Sequence, residues 1–322
     1  MRDDVETSRA LARAAAITID VDTLACYRAI HGLPQADDAR DPTYPIAMER
    51  FFEIVDGLHA RATVFVIGRD LDDATAAARV RAAHDGGHEI ASHSHAHDYA
   101  LSRRAPAVID ADLARASDAI ARVAGRRPRG FRAPGYNLSE PLVDALDRHG
   151  FVYDSSIFPT PAYFAARAIA IGAHALAGRE SRSLVGDARE FAGPRAPYRP
   201  AVGARHRAAR RGERARALVE IPMAVATRLR APWLGTTISL AHDAVGDALT
   251  RFALRARGPV VLELHAMDLL GHDDGVDRAL VAVQPDLRVS SRDKVRRVTR
   301  AVRALVERRD TITLEEMAAR VA

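Results

Sequence analysis

The chain has 322 residues, 48% of them hydrophobic, and its 47 Lys and Arg against 42 Asp and Glu give a net charge of +5 at pH 7. That length suits one large barrel or two ordinary domains, and the single cysteine, Cys26, excludes an intramolecular disulfide and any multi-cysteine zinc site. No apolar run reaches the roughly 18–20 residues of a spanning helix, and the acidic start Met1-Arg2-Asp3-Asp4 lacks the pattern of a secretory leader, so a cytoplasmic protein is expected, with peripheral contact at the inner membrane face open to it.

Short apolar runs alternate with helical patterns along the chain, which predicts an α/β fold. Residues 15–21 read as a strand ending in polar residues. Ile46, Phe51, Ile54, Val55 and Leu58 then recur at helical spacing. Residues 62–67 form a wholly apolar strand, as expected where both faces are covered. A helix over 71–84 should stop at Gly86 and Gly87. Strand 88–92 leads directly into His93-Ser94-His95-Ala96-His97. Val108, Leu113, Ile120 and Val123 mark a helix stopped by Gly125, and a short strand follows near Gly130. Ser139 is the N-cap of a helix through Arg148. Strands at 151–153, 218–223 and 260–264, and helices at 241–257 and 292–308, continue the rhythm. Thr313 and Glu316 have capping-box spacing for a last helix. Residues 160–216, rich in Gly, Pro, Ala and Arg, break the pattern. They read as an insertion or cap within a single domain, and the cluster Arg205, Arg207, Arg210, Arg211, Arg214 and Arg216 as a solvated face.

Four segments carry chemistry. Asp20 and Asp22 lie two apart at a strand end, so both carboxylates point to one face, one suited to a metal and one to base catalysis. His93 and His97 have a spacing that brings two imidazoles together on one helical turn, and such a pair suits zinc or a related divalent ion; His95 should point elsewhere. Arg132, set among Phe131, Ala133 and Pro134, calls for a buried partner such as Asp20, and the turn at Gly135 could aim the Tyr136 backbone N–H at a substrate oxygen. His265 ends a strand with Glu263 two residues before it, able to orient the ring. Asp268, Asp273, Asp274 and Asp277 read as a solvated acidic loop. No nucleophile elbow surrounds Ser155 or Ser156, no P-loop is present, and the basic stretch matches no nucleic-acid module, so no nucleic-acid partner is expected.

In order and spacing these segments resemble the polysaccharide deacetylases of the NodB type, carbohydrate esterase family 4, over residues 17–270 apart from most of 160–216. The run from Thr18 to Asp22 looks like the first motif, with one residue between the aspartates. His93, Ser94 and His97 match His-Ser/Thr-x-x-His. The run from Arg132 to Tyr136 is similar to Arg-x-Pro-Tyr with Gly135 inserted, and His265 matches the last motif. The resemblance implies a distorted (β/α) barrel. It further implies Asp20 as base, Asp22, His93 and His97 as ligands of a divalent metal, zinc by preference, Arg132 and Tyr136 in the catalytic set, and His265 as general acid. The runs from Tyr153 to Pro159 and from Glu220 to Pro222 resemble a bacterial subgroup acting on envelope sugars. The start from Ile19 to Thr23 resembles deformylases of lipid-linked aminoarabinose. The expected reaction is removal of an acetyl or formyl group from an amino sugar, in a polysaccharide or lipid-linked. Hydrolysis of a non-sugar amide or cyclic imide by the same barrel is the alternative, and a non-catalytic saccharide-binding barrel a third.

Overall fold

The computed structural model describes residues 2–35, 41–176, 184 and 186–321. Eight strands share one sheet: β1 (Ala14–Asp20), β2 (Ala62–Val66), β3 (Glu89–Ser92), β4 (Gly130–Phe131), β5 (Tyr153–Asp154), β6 (Val219–Glu220), β7 (Val260–His265) and β8 (Asp310–Thr311). Their order is β7-β1-β2-β3-β4-β5-β6, with β8 beside the start of β1, and every pairing is parallel. The sheet curls until the chain just beyond β6 meets β7, where the Ala224 N–H donates to the Val261 carbonyl at 3.0 Å. The result is the distorted (β/α) barrel expected from the sequence.

Strand alternation divides the residues of this barrel. Ile17 and Ile19 of β1, Val64 and Val66 of β2 and Leu262 and Leu264 of β7 pack outward with helix residues such as Phe51, Val298 and Leu305. The opposite face, represented by Ala14, Ala16, Phe65, Ala91, Tyr153 and Val261, fills the interior. Asp20 shares the parity of Ala14 and Ala16, and Glu263 and His265 share that of Val261. The same rule that builds the core therefore delivers three polar side chains to the C-terminal mouth of the barrel.

The helices end where their signals stand. Asp73 caps Ala74–Asp85 by accepting from the Ala76 N–H, Ser139 caps Glu140–Arg148 through Leu142, and Pro106–Ala124 stops at Gly125 in the left-handed region. Ser291–Val306 and Asp243–Ala253 occupy the later predicted stretches, and the Thr313–Glu316 capping box opens Leu314–Ala318. Helices Arg2–Arg13 and Leu24–Ile30 went unpredicted, and β4, β5 and β6 are only two residues each.

Residues 160–216 are more ordered than their composition suggests, although 177–183 and 185 lie outside the described residues. Helix Pro161–Leu176 leads the segment, and an antiparallel pair, Pro200–Ala201 with Ala204–Ala208, closes it. The expected solvated arginine face is only partly there. Arg210, Arg211 and Arg214 are exposed, but Arg205 and Arg216 are buried. Arg205 reaches Glu190 at 2.8 Å and Asp187 at 3.1 Å, while Arg216 takes Glu140, Asp144 and Asp147 at 2.6–3.0 Å. The Arg216 pairs fasten the segment to helix Glu140–Arg148, while the Arg205 pairs tie parts of the segment to each other. Among the described residues, no helix is long and apolar enough to cross a membrane.

Candidate active site

Asp20 ends β1 and Asp22 lies two residues on, both buried. Beside them, across β2, β3 delivers His93. The helical turn expected to pair His93 with His97 is absent: residues 93–97 form an irregular loop with Ser94 at φ 65° and His97 at φ 50°. Side chains make the hydrogen bonds that a helix would have made. Ser94 Oγ accepts the His97 N–H at 3.0 Å, and the buried Asp112 carboxylate accepts from His95 and Ala96 at 2.8 and 3.1 Å. The loop still brings the two imidazoles together, with ring centroids 4.9 Å apart, and His95 turns away toward Gly68.

Asp22 Oδ1 lies 3.4 Å from His93 Nε2 and 3.1 Å from His97 Nε2. His93 Nδ1 is 2.8 Å from the Arg132 carbonyl. A carbonyl only accepts, so Nδ1 carries a proton and Nε2 is the nitrogen turned toward Asp22, the one that would bind a metal. Asp22 Oδ1 and both His97 ring nitrogens are buried without a hydrogen-bond partner. Asp22, His93 and His97 each offer one ligand atom within 4.8 Å of the others, and Asp22 Oδ1 and His97 Nε2 are buried without a hydrogen-bond partner, so the residues fit a divalent cation. Burial opposes charge on Asp22, but the two imidazoles outweigh it and hold its carboxyl well below the usual range.

Arg132 is fully buried, and all its partners are inside. Nη1 donates to Asp20 Oδ1 at 2.6 Å and Thr18 Oγ1 at 3.0 Å, Nε to the Ser155 carbonyl at 2.8 Å and Nη2 to Ser155 Oγ at 3.0 Å. The Phe65 ring lies 4.1 Å beneath the guanidinium. The arginine leaves Asp20 Oδ2 without a partner, 3.8 Å from His93 Nε2. Burial raises the Asp20 pKa and outweighs the lowering by the Arg132 charge, so the arginine fixes the carboxylate's orientation while burial preserves its basicity.

Tyr136 does not use its backbone in the way the sequence suggested. Its N–H is spent on the Ala133 carbonyl at 2.8 Å, because Pro134–Tyr136 closes a 3-10 turn with Gly135 at φ 59° and Tyr136 at φ 62°. The turn instead sends the side chain inward. Its hydroxyl donates to Glu263 Oε1 at 3.1 Å and lies 3.3 Å from His265 Nε2. The inserted glycine makes this turn possible, since a Cβ there would lie 2.7 Å from Arg167 and 2.8 Å from Tyr99.

His265 Nδ1 is 3.0 Å from Glu263 Oε1, the orienting contact expected from their spacing. Burial disfavours the imidazolium, but Glu263, Asp20 and Asp22 together push the His265 pKa well above the ordinary histidine value. The acidic loop expected after it is only partly solvated: Asp273 is exposed, Asp274 and Asp277 are half-buried, and each carboxylate has a protein partner. Asp268 is buried and accepts the His265 N–H at 2.8 Å, Asp274 takes Arg50 at 2.7 Å, Asp277 takes Arg28 and Asp273 takes Ser291. Asp268, Ser155 and Ser156 are thus supports of the site that their local sequence did not single out; Ser156 Oγ accepts the Ala133 N–H at 2.8 Å.

Asp20, Asp22, His93, Tyr136 and His265 line one cavity of about 490 Å³. Tyr163, Ala166 and Ile171 of helix Pro161–Leu176 form part of its wall. A larger cavity of about 1100 Å³ adjoins at His97 and Tyr99.

Comparison with known proteins agrees with this geometry. Residues 37–153 match the family described as polysaccharide deacetylase. The chain is 26% identical over 142 residues to the peptidoglycan deacetylase of Helicobacter pylori, a match covering 43% of this chain and 47% of that protein. It is 29% identical over 117 residues to peptidoglycan deacetylase-like protein FGM2 of Gibberella zeae, covering 35% of this chain and 33% of the other. The matches thus span less than half the length of these curated relatives. A crystal structure from Mycobacterium smegmatis, assigned as a polysaccharide deacetylase, superposes with a TM-score of 0.57 at 21% identity, covering 96% of this chain and 89% of the other. That likeness establishes the fold.

Proposed function

We propose, from the premise that this chain carries a polysaccharide deacetylase domain of the NodB type, that it is a metal-dependent hydrolase removing an N-acetyl or N-formyl group from an amino sugar. The observation that carries this reading is the division of labour around one cavity. A convergent donor set, Asp22, His93 and His97, stands beside two separately tuned pairs, Asp20 with Arg132 and His265 with Glu263.

Asp22, His93 and His97 would hold one divalent ion, for which their oxygen and nitrogen donors favour zinc, and which would lower the pKa of water and polarise the acyl carbonyl. Asp20 is the base. Arg132 occupies its Oδ1, so Oδ2 is the atom left to take a proton, and its raised pKa increases its proton affinity. His265 is held protonated by its carboxylate neighbours and serves as the acid for the leaving amine. Tyr136 bridges Glu263 and His265 through its hydroxyl and keeps the acid aligned. Tyr27, Ile30, Tyr163 and Ile171 give the cavity an apolar wall. We read residues 160–216 as a cap on this site. The volume suits a single acylated sugar, as a residue of a polysaccharide or attached to a lipid.

Metal analysis of the purified protein should find about one divalent ion per chain, and the double variant His93→Ala/His97→Ala should lose it; full retention would disprove the ligand assignment. Asp20→Asn should keep the metal while kcat falls roughly 10²–10⁴-fold. The expected product is acetate or formate from N-acyl amino sugars, in preference to ring opening of a cyclic imide.

A further inference from the structure

Lys294 is the single lysine of the chain and is fully buried in helix Ser291–Val306. An ammonium has three protons to donate and accepts nothing. Three backbone carbonyls surround this one: Met267 at 2.6 Å, Leu270 at 2.7 Å and Asp286 at 3.2 Å. The lysine thereby ties the turn after His265 to the turn Pro285–Arg288. It also places a positive charge near the Asp286 carboxyl group while its protons are committed elsewhere.

Asp286 is 2% exposed and lines the catalytic cavity with His265, Tyr136 and Asp22. No donor among the described residues reaches its Oδ1. Buried polar atoms are nearly always paired, and an unpaired one is destabilising. A carboxylate oxygen supported by nearby charge but given no hydrogen bond is a place where a ligand can supply the donor. Next to it, the Gln284 side-chain carbonyl faces His31 Nε2 at 2.5 Å, which leaves the Gln284 amide NH2 as its donating end. Gln284 lines the same cavity.

We propose that Asp286, assisted by the Gln284 amide, binds ring hydroxyls of the sugar whose N-acyl group faces the metal-ligand set. The proposal rests on the deacylase reading and narrows it. A carboxylate only accepts, so its partner must be rich in donors. A hydroxylated ring offers several, whereas an N-acylated carbocycle or a cyclic imide offers at most an N–H. The substrate is accordingly a ring with free hydroxyls on the side that meets Pro285–Arg288.

Two probes isolate this contact. N-acetylglucosamine and N-cyclohexylacetamide carry the same acyl amide on a six-membered ring, with and without hydroxyls. Their dissociation constants would be measured by calorimetry on the full, metal-loaded chain, for wild type, Asp286→Asn, Asp286→Ala and Gln284→Ala. Wild type should bind N-acetylglucosamine at least about tenfold more tightly. Asp286→Ala should erase most of that preference, and Asp286→Asn and Gln284→Ala part of it, with N-cyclohexylacetamide binding unchanged. Absence of a wild-type preference, or equal weakening of both probes in the Asp286 variants, would overturn the proposal. Should Asp286→Ala fail to fold, Gln284→Ala decides: unchanged N-acetylglucosamine binding rejects the subsite. Failure of the deacylase reading shows differently, as absence of acyl release by wild type with the binding preference intact.

Discussion

Burial alone would leave His265 neutral at pH 7; the carboxylates of Glu263, Asp20 and Asp22 reverse that. In its proposed role as acid His265 works while protonated, so activity should be lost as pH rises through its pKa. Glu263→Gln removes the nearest of those charges and lowers that pKa. The basic limb of kcat/KM should therefore move to lower pH, with the loss growing on the alkaline side, checked by a pH–rate profile on metal-loaded enzyme; an unmoved limb would remove Glu263 from this role. Sequence reasoning found this pair, and Asp20 with Asp22, because strand alternation alone puts residues two apart on one face. It missed Asp268, Asp286 and Lys294. Asp268 and Asp286 resemble any surface aspartate in sequence, and the Lys294 contacts span 8–27 residues with no local pattern to announce them.

At the scale of elements, the two loops beyond β3 and β4 depart most from their sequence reading. A His-x-x-x-His spacing fits both a helical turn and a loop, and only the left-handed Ser94 and His97 distinguish them; neither residue type signals that conformation. Gly135 does signal it. Gly135→Ala would force a side chain into φ 59° and against Tyr99 and Arg167. A loss of about 1–2 kcal/mol from the left-handed backbone is expected, with the clash adding to it. Denaturant unfolding would measure this cost. Activity should fall as the Tyr136 hydroxyl leaves Glu263, while metal content holds, since residues 93–97 are untouched. A variant with wild-type turnover would show that the turn does not set the tyrosine.

Taken as a whole molecule, the barrel was legible because its strands are apolar on both faces and its helices carry caps. The brevity of β4, β5 and β6 and the near-closure through Ala224 were not legible, since closure depends on the curl of the entire sheet. Residues 160–216 were hidden for a different reason. Their arginines look solvated in sequence, and only the positions of Glu140, Asp144, Asp147 and Glu190 in the fold reveal which of them are staples.

The solitary buried lysine has a practical consequence for proteolysis. A lysine-specific protease has one possible cut in this chain, after Lys294, and the native fold hides it inside a helix. Cleavage into fragments of residues 1–294 and 295–322 must then await opening of that helix. When reclosing outpaces cutting, the rate follows the equilibrium population of the open form. Under native conditions the cut should be slow. A saturating saccharide bound as proposed at Asp286 should slow it further, which gel electrophoresis of timed digests would register. Rapid cutting of the folded protein would contradict the burial on which this reporter depends.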